Sequence, residues 1–179
     1  SCTDSPFLLV SAWLKNPDTR AFLFGSYENN ISPYVTIVST DGSQAQLLAA
    51  AAGDYVFSNA GDWPGGVWRH VLWAFRTDGA LVGDVPPSPM YVNTVLSSIQ
   101  GSGFQGLPFN INLNGRELNF HGEPINEGET PSFDAADVMI FNGASADVIQ
   151  PDGTIPASVL SLFCDTATKP VDPLFAIAA

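Results

Sequence analysis

Short apolar stretches alternate with turn-forming residues along the whole chain. Val, Ile, Leu and aromatic residues fill the stretches, and Gly, Pro, Asn or Asp residues separate them. This pattern is typical of antiparallel strands joined by tight turns. The strands that it predicts cover residues 7–15, 21–27, 34–42, 67–77, 89–95, 109–114 and 135–143.

The stretch 44–57, "QAQLLAAAAGDYVF", is ambiguous. Its alanines favour a helix by intrinsic propensity, whereas the Asp-Gly turn just before it favours a returning strand. We predict a strand here, because the preceding segment already has the pattern of the first half of a hairpin.

Helical periodicity is confined to residues 145–149 and 156–167. Pro156 stands near the start of the second segment, where proline is well tolerated. The apolar residues that follow at helical spacing are Val159, Leu160 and Phe163. Because no βαβ alternation is present, we predict an all-β fold, an antiparallel two-sheet β-sandwich with one short C-terminal helix.

Length and composition fit one folded domain. The chain has 179 residues, of which 45% are hydrophobic and 13% charged, so it can bury a core. We predict a sandwich domain over residues 1–155, and a helix and tail over residues 156–179 that pack on the sandwich or on a partner. The longest apolar runs fall well short of the roughly 20 residues of a membrane-spanning helix, so we expect no membrane insertion.

The charge balance argues against nucleic acid as a partner. Eighteen acidic residues against six basic ones give a net charge of -12, which repels a phosphate backbone. The two cysteines, Cys2 and Cys164, lie near opposite ends of the chain. Domain termini are often close together, so a disulfide and two separate thiols are both open, and the redox compartment decides between them.

No catalytic motif in the sequence has the context that its chemistry needs. The G-x-G-x-x-G stretch at 101–106 precedes Pro108 rather than a helix, so we interpret it as a turn. The acidic residues at alternating positions, Glu127 and Glu129, fall in a loop rich in Gly and Pro. No G-x-S-x-G elbow is present, and two histidines with two distant cysteines do not suggest zinc. We therefore predict that the chain is not an enzyme.

A binding surface is a stronger hypothesis than a catalytic site. Trp63 lies in the loop "NAGDWPGG", where a large aromatic side chain is not readily explained as core, and it can stack on a sugar ring. Polar side chains that could hold sugar hydroxyls lie beside it and in "NLNGRELNFHGE". The predicted ligand-binding residues are Asp62, Trp63, Asn114, Arg116 and His121. The alternative to ligand binding is a structural role, in which Trp63 folds over the sandwich edge and the polar residues cap turns.

The segment "VWRHVLWAFRTDG", residues 67–79, sets His70 in an apolar run. Both of its alternating faces are apolar, which predicts a central strand covered on both sides. We interpret His70 as a neutral, buried residue rather than a catalytic one, since no acidic or metal-ligand residue is adjacent in sequence. The residues predicted to belong to the structural core are Trp13, Trp68, His70 and Trp73.

The segments "SAWLK", "LFGSY", "WRHVLWAFRTDG", "MYVN" and "FDAADVMIFNG" follow the order seen in LamG-like domains. Over residues 7–150 the chain thus resembles the LamG-like jelly rolls of the concanavalin A-like superfamily. Thr94 stands where that family usually has a glycine after the Asn. Many such domains hold calcium at the sandwich rim. No ligand set here matches well enough to carry over, so we predict no cofactor and leave calcium open.

The closing segment "IPASVLSLFCDTATKPVDP" resembles the tail of LamG-like structural proteins of tailed phages and gene-transfer particles. That resemblance implies a non-enzymatic virion or particle surface protein, used for host-glycan adhesion or particle assembly. Its partners would be carbohydrate or other particle proteins, with self-association open. A secreted carbohydrate-binding lectin module is the first alternative, so the location is virion or extracellular. A glycoside hydrolase is the second alternative, although the E-x-D-x-x-E strand of the superfamily's glucanases is absent.

Overall fold

The computed structural model describes residues 5–15, 21–25, 34–39, 45–51, 54–60, 68–101, 108, 110, 119–120, 134–142, 148–166 and 169–170. Within these ranges the elements are β1 (Phe7–Lys15), β2 (Ala21–Gly25), β3 (Tyr34–Ser39), β4 (Ala45–Ala51), β5 (Asp54–Ala60), β6 (Trp68–Arg76), β7 (Pro87–Val92), β8 (Val95–Gln100), β9 (Asn119–Phe120), β10 (Asp134–Asn142), α1 (Ala157–Leu160), β11 (Cys164–Thr166) and β12 (Lys169–Pro170).

Two five-stranded antiparallel sheets make up the fold. The first has the strand order β10-β1-β6-β7-β8 and the second β5-β4-β3-β2-β9, while β11 and β12 pair separately. Strand β5 of the second sheet contacts β7 and β8 of the first. The predicted fold class is therefore confirmed: the described residues form an all-β, antiparallel two-sheet β-sandwich with one short helix.

Most predicted strands are present, with shifted ends. Residues 44–57 form parts of two strands rather than one, because β4 and β5 pair with each other along their length. That pairing overrides the helical preference of the alanines. The helix in the structure is shorter than the predicted segment 156–167, since α1 ends at Leu160. In the turn that follows, each backbone N–H donates to the carbonyl three residues earlier, as in a 3₁₀-helix. The predicted strand over 109–114 lies almost wholly outside the described residues.

Strand β6 lies in the middle of the first sheet and is covered on both faces. On the inner face, toward the second sheet, the fully buried side chains are Val71, Trp73 and Phe75. On the outer face the buried side chains are His70, Leu72 and Ala74. A strand buried on both sides is what the apolar pattern of residues 67–77 predicts.

The outer face of the first sheet is partly covered by residues 148–163, which we call the strap. One apolar cluster joins the two, and its buried members are Leu9, Leu72, Ala74 and Tyr91 of the sheet with Ile149, Ile155 and Phe163 of the strap. The Tyr91 hydroxyl accepts a hydrogen bond from the backbone N–H of Ile155 at 3.0 Å. The strap is thus anchored by apolar packing and by a buried hydrogen bond.

A two-residue turn connects β7 to β8. Asn93 and Thr94 have φ values of 49° and 63°, and positive φ at both central residues is the requirement of a type I′ turn. The tight turn therefore forms although Thr94 replaces the glycine usual in LamG-like domains. Asn93 also holds the turn against β6, since its backbone N–H donates to the carbonyl of His70 at 2.8 Å.

Gly153 in the strap has no room for a side chain. Its φ is +84°, and a Cβ atom there would lie 2.4 Å from Ile99 Cγ2. We expect Gly153→Ala to destabilise the domain by about 2 kcal/mol in urea unfolding, from backbone strain and overpacking. Gly79 is the matched control, because its φ is +86° and its nearest neighbours would be 3.9 Å away. Equal losses for Gly79→Ala and Gly153→Ala would contradict the tight contact of the strap with β8.

Candidate functional site

Beyond the strap, the outer face of the first sheet continues to the end where β1 finishes and β6 begins. In the register of these two antiparallel strands, Trp13 lies opposite His70 and Lys15 lies opposite Trp68. Directly opposed residues share a face of the sheet and are close enough for their side chains to interact. These four residues therefore form one continuous patch, which we call the Trp68 surface.

Exposure rises steeply across the Trp68 surface. His70 is 2% exposed and Trp13 is 7% exposed, whereas Trp68 is 43% exposed and Lys15 is half-buried. The prediction that Trp68 belongs to the core is therefore wrong. Trp68 is the first residue of β6, and its side chain lies beyond the part of the outer face that the strap covers. The alternating pattern identifies its face but cannot show how far that face is covered.

His70 is fixed by hydrogen bonds from both sides. Its Nε2 atom lies 2.9 Å from Ser11 Oγ, and its backbone N–H donates to Asn93 Oδ1 at 3.0 Å. The imidazole ring also packs against Trp13, with ring centroids 5.6 Å apart and tilted by 53°. Burial lowers the pKa of His70 to about 4, so the ring is neutral near pH 7. It is a positioning residue that supports Trp13.

Two polar atoms under this surface are buried without a hydrogen-bond partner among the described residues. They are Nδ1 of His70 and Nε1 of Trp13. A buried polar atom without a partner costs free energy, so the neighbouring packing must hold these two rings in position. These two buried atoms therefore lower the stability of this end of the sheet, and the packing around the two rings offsets that cost.

Unusual backbone conformations flank the Trp68 surface on both sides. Among the described non-glycine residues, the positive φ angles are those of Asn93, Thr94 and Asp137. Asn93 is bonded to His70, and Asp137 lies where the pairing of β10 with β1 shifts between Ser11 and Trp13. The first two belong to the type I′ turn between β7 and β8, and the third belongs to the irregular pairing of β10 with β1.

The sequence pattern did not single out Lys15 or Trp68 as candidate binding residues. The available signal was their position at strand ends, where cover by other elements is least certain. The predicted ligand-binding residues Asp62, Trp63, Asn114, Arg116 and His121 lie outside the described residues and stay predictions. The choice between a Cys2–Cys164 disulfide and two separate thiols stays open, because Cys2 lies outside the described residues, while Cys164 is buried.

A concave region separate from the Trp68 surface lies beside β8. It has a volume of about 530 Å³ and is lined by Val82, Leu96, Ser97, Ser98 and Ile99. This lining has neither an aromatic nor a charged side chain, so it offers no stacking platform.

Among the described residues no three His, Cys, Asp or Glu side chains group as metal ligands would. The described ranges also hold no helix of the length and apolarity that crossing a membrane requires.

Comparison with solved structures agrees with the fold. Domains LG4-5 of the mouse laminin alpha1 chain match with a TM-score of 0.56 and 15% identity, covering 79% of this chain and 37% of that one. Domain 4 of AbnA, an extracellular arabinanase of Geobacillus stearothermophilus, matches with a TM-score of 0.51 and 15% identity. The match covers 79% of this chain and 63% of that one. The chain thus spans under two thirds of the length of each of these two chains. No protein-family model and no curated protein sequence matches it.

Proposed function

We propose that this chain is a non-enzymatic, lectin-like module that binds carbohydrate on the Trp68 surface. The observation that carries the proposal is an indole 43% exposed at the end of a sheet face whose other described tryptophan, Trp13, is buried. An exposed indole stacks on the apolar face of a sugar ring, and the neighbouring Lys15 ammonium donates to hydroxyl oxygens. The buried side chains of His70 and Trp13 lie in the next row of the same face and hold this end of β1 and β6 in place.

The comparisons support the proposal at the level of fold. Domain 4 of the Geobacillus stearothermophilus arabinanase was solved in complex with arabinotriose, so a sandwich with this strand arrangement can hold an oligosaccharide. That arabinanase is extracellular, and we propose the same location for this chain. Because one fold supports many functions, the proposal depends on the residues of the Trp68 surface.

The test is binding to an array of immobilised glycans with the wild type and two variants. We expect Trp68→Ala to lower the affinity for the bound glycan at least tenfold, because about 1.4 kcal/mol of stacking corresponds to a factor of ten. Leu162→Ala is the control, since Leu162 is an exposed apolar residue outside the Trp68 surface. Unchanged binding by Trp68→Ala would exclude this surface as the site.

The absence of catalysis is part of the proposal and needs its own assay. A glycoside hydrolase requires two carboxylates roughly 5–10 Å apart, and the candidates Glu127 and Glu129 lie outside the described residues. Each glycan retained on the array should therefore be incubated with the protein and analysed for shorter products. Hydrolysis that disappears in Glu127→Gln or Glu129→Gln would establish the hydrolase alternative.

For the biological setting we propose the surface of a virion or related particle, where the module serves adhesion or assembly. The support is the resemblance of the C-terminal segment "IPASVLSLFCDTATKPVDP" to LamG-like particle proteins. The arrangement of neighbouring genes tests this setting. Capsid and tail genes on either side would support a particle, whereas sugar-utilisation genes would favour a secreted lectin module.

A further inference from the structure

We propose that an extended segment of a partner protein, apolar in its centre and basic at its ends, binds along β8. The binding site is the concave region of about 530 Å³ described above, which we call the β8 groove. Its lining residues are Val82, Leu96, Ser97, Ser98 and Ile99. None of them belongs to the Trp68 surface, so this site is separate from the proposed carbohydrate site.

The β8 groove runs along the outer edge of its strand. Four consecutive residues of β8, 96–99, line it. Successive side chains of a strand point to opposite faces, so a groove that touches four in a row lies against the edge of the strand. Among the described strands β8 is hydrogen-bonded to β7 alone, which makes it an edge strand of the first sheet. An edge strand can accept a further strand through its backbone N–H and C=O groups.

The turn before β7 supplies the remaining lining residue, Val82. Val82 pairs with Val85, to whose carbonyl its N–H donates at 2.8 Å. Gly153 of the strap lies against both sides of the groove, because a Cβ atom there would be 3.2 Å from Val82 Cγ2 and 2.4 Å from Ile99 Cγ2. The strap thus holds the turn beside β8, and a preformed site lowers the entropic cost of binding.

Exposed apolar side chains cluster at the β8 groove. Six large apolar side chains are exposed among the described residues, and three of them lie here: Leu81 beside Val82, and Val95 and Leu96 in β8. Such a cluster marks an interaction surface. The Oγ atom of Ser98 is buried and has no hydrogen-bond partner among the described residues. A backbone group of an added segment would satisfy this hydroxyl while apolar side chains cover the rim.

The charges around the β8 groove favour a basic partner. The two described segments that meet there, residues 79–101 and 148–163, contain no lysine, arginine or histidine. Each segment contains one acid, Asp84 in the first and Asp152 in the second, and both acids are exposed. The chain as a whole carries a net charge of -12. Basic residues that flank the apolar part of a bound segment would therefore be attracted to this edge of the sheet.

Asp152 is held in its charged form by its neighbour Thr154. The Thr154 hydroxyl donates to Asp152 Oδ1 at 2.7 Å, and the Thr154 backbone N–H donates to the same atom at 3.0 Å. These hydrogen bonds lower the pKa of Asp152, so its carboxylate is ionised at neutral pH. A fixed negative charge thus stands one residue from Gly153, which contacts the groove.

The test is fluorescence anisotropy of the full chain with three capped, dye-labelled heptapeptides. The probe KVTVTVK has alternating valines and a lysine at each end, EVTVTVE reverses its charge, and KVPVPVK lacks two backbone N–H donors. We expect KVTVTVK to bind at least tenfold more tightly than either control, and its advantage over EVTVTVE to shrink at about 1 M NaCl, where the Debye length is about 3 Å. Equal binding of the three peptides, or no binding of KVTVTVK at about 1 mM, would overturn the proposal.

Leu96→Lys tests the groove itself. A positive charge on its apolar lining should lower the affinity for KVTVTVK at least tenfold. Leu162→Lys is the matched control, since Leu162 is also exposed and apolar but lies outside the groove. Melting curves check that both variants are folded. A folded Leu96→Lys that binds KVTVTVK as the wild type does, or an equal loss in Leu162→Lys, would overturn the proposal.

Asp84→Asn tests the charge complementarity. It should weaken KVTVTVK binding about threefold, the effect of one exposed ion pair. Asp137→Asn is the control, because Asp137 is an exposed acid on β10, at the opposite edge of the same sheet. Trp68→Ala should leave peptide binding unchanged, and Leu96→Lys should leave glycan binding unchanged. Loss of KVTVTVK binding in Trp68→Ala would place the peptide on the Trp68 surface and overturn the proposal, whereas failure of every glycan to bind would affect the proposed function alone.

Discussion

Trp73→Ala is expected to destabilise the domain by about 3–5 kcal/mol, the cost of removing a large aromatic side chain from a core. Trp73 is fully buried on the inner face of β6, between Val10 of β1 and Met90 of β7, which are also fully buried. Domains of this size are stable by only about 5–15 kcal/mol, so the variant would lose a large part of its stability. Urea unfolding followed by tryptophan fluorescence measures the effect.

Two variants on the same strand serve as controls. Trp68→Ala removes an equally large side chain that is 43% exposed, and we expect it to cost less than about 1 kcal/mol. Trp73→Phe should recover most of the loss, because Nε1 of Trp73 has no hydrogen-bond partner among the described residues. If Trp73→Ala were as mild as Trp68→Ala, the assignment of the inner face would be wrong.

The second large effect is a loss of stability of about 3 kcal/mol as the pH falls from about 6.5 to about 4. Burial lowers the pKa of His70 from 6.5 to about 4 in the folded state. Above pH 6.5 the ring is neutral in both states, so its full contribution to stability is present. Between pH 6.5 and about pH 4 the unfolded state binds a proton that the folded state excludes. The free energy of unfolding therefore falls by about 1.4 kcal/mol per pH unit in this range.

His70→Gln isolates this effect from other titrating groups. Glutamine can still hydrogen-bond Ser11 but does not titrate, so the variant should be about 1 kcal/mol less stable at pH 7 and lose less stability on acidification. Burial acts to raise the pKa of Asp78, but hydrogen bonds from Arg76 and from the N–H of Ala80 outweigh it and lower that pKa, so Asp78 titrates at lower pH. Identical pH dependences for wild type and His70→Gln would refute the burial of a neutral His70.

Strands with an unbroken apolar pattern were predictable from the sequence. The segments 7–15 and 67–77 correspond to β1 and β6, because a strand in the middle of a covered sheet has to be apolar on both faces. The segment 135–143 corresponds to β10, which lies at the edge of the same sheet. The central position of β6 followed from the same pattern. These features depend on local periodicity, which a single sequence contains.

Features that depend on distant parts of the chain were not predictable. Phe163 continues the helical spacing of the predicted helix, yet it packs on the sheet after α1 has ended, with its ring 5.6 Å from that of Phe141. The exposure of Trp68, at 43%, beside the buried His70 and Trp13 likewise depends on how other parts of the chain cover the outer face. Both are decided by tertiary packing between residues far apart in sequence.

The central claim is that one face of β6 has two roles, a structural one at His70 and a ligand-binding one at Trp68, two positions away. The most direct test measures the affinity for the glycan that the array identifies and the melting temperature in His70→Gln and in Trp68→Ala. We predict that His70→Gln lowers the melting temperature by about 2–4 °C and leaves the affinity nearly unchanged, whereas Trp68→Ala weakens binding at least tenfold with little change in melting. A His70→Gln protein that melts normally but no longer binds would contradict this account.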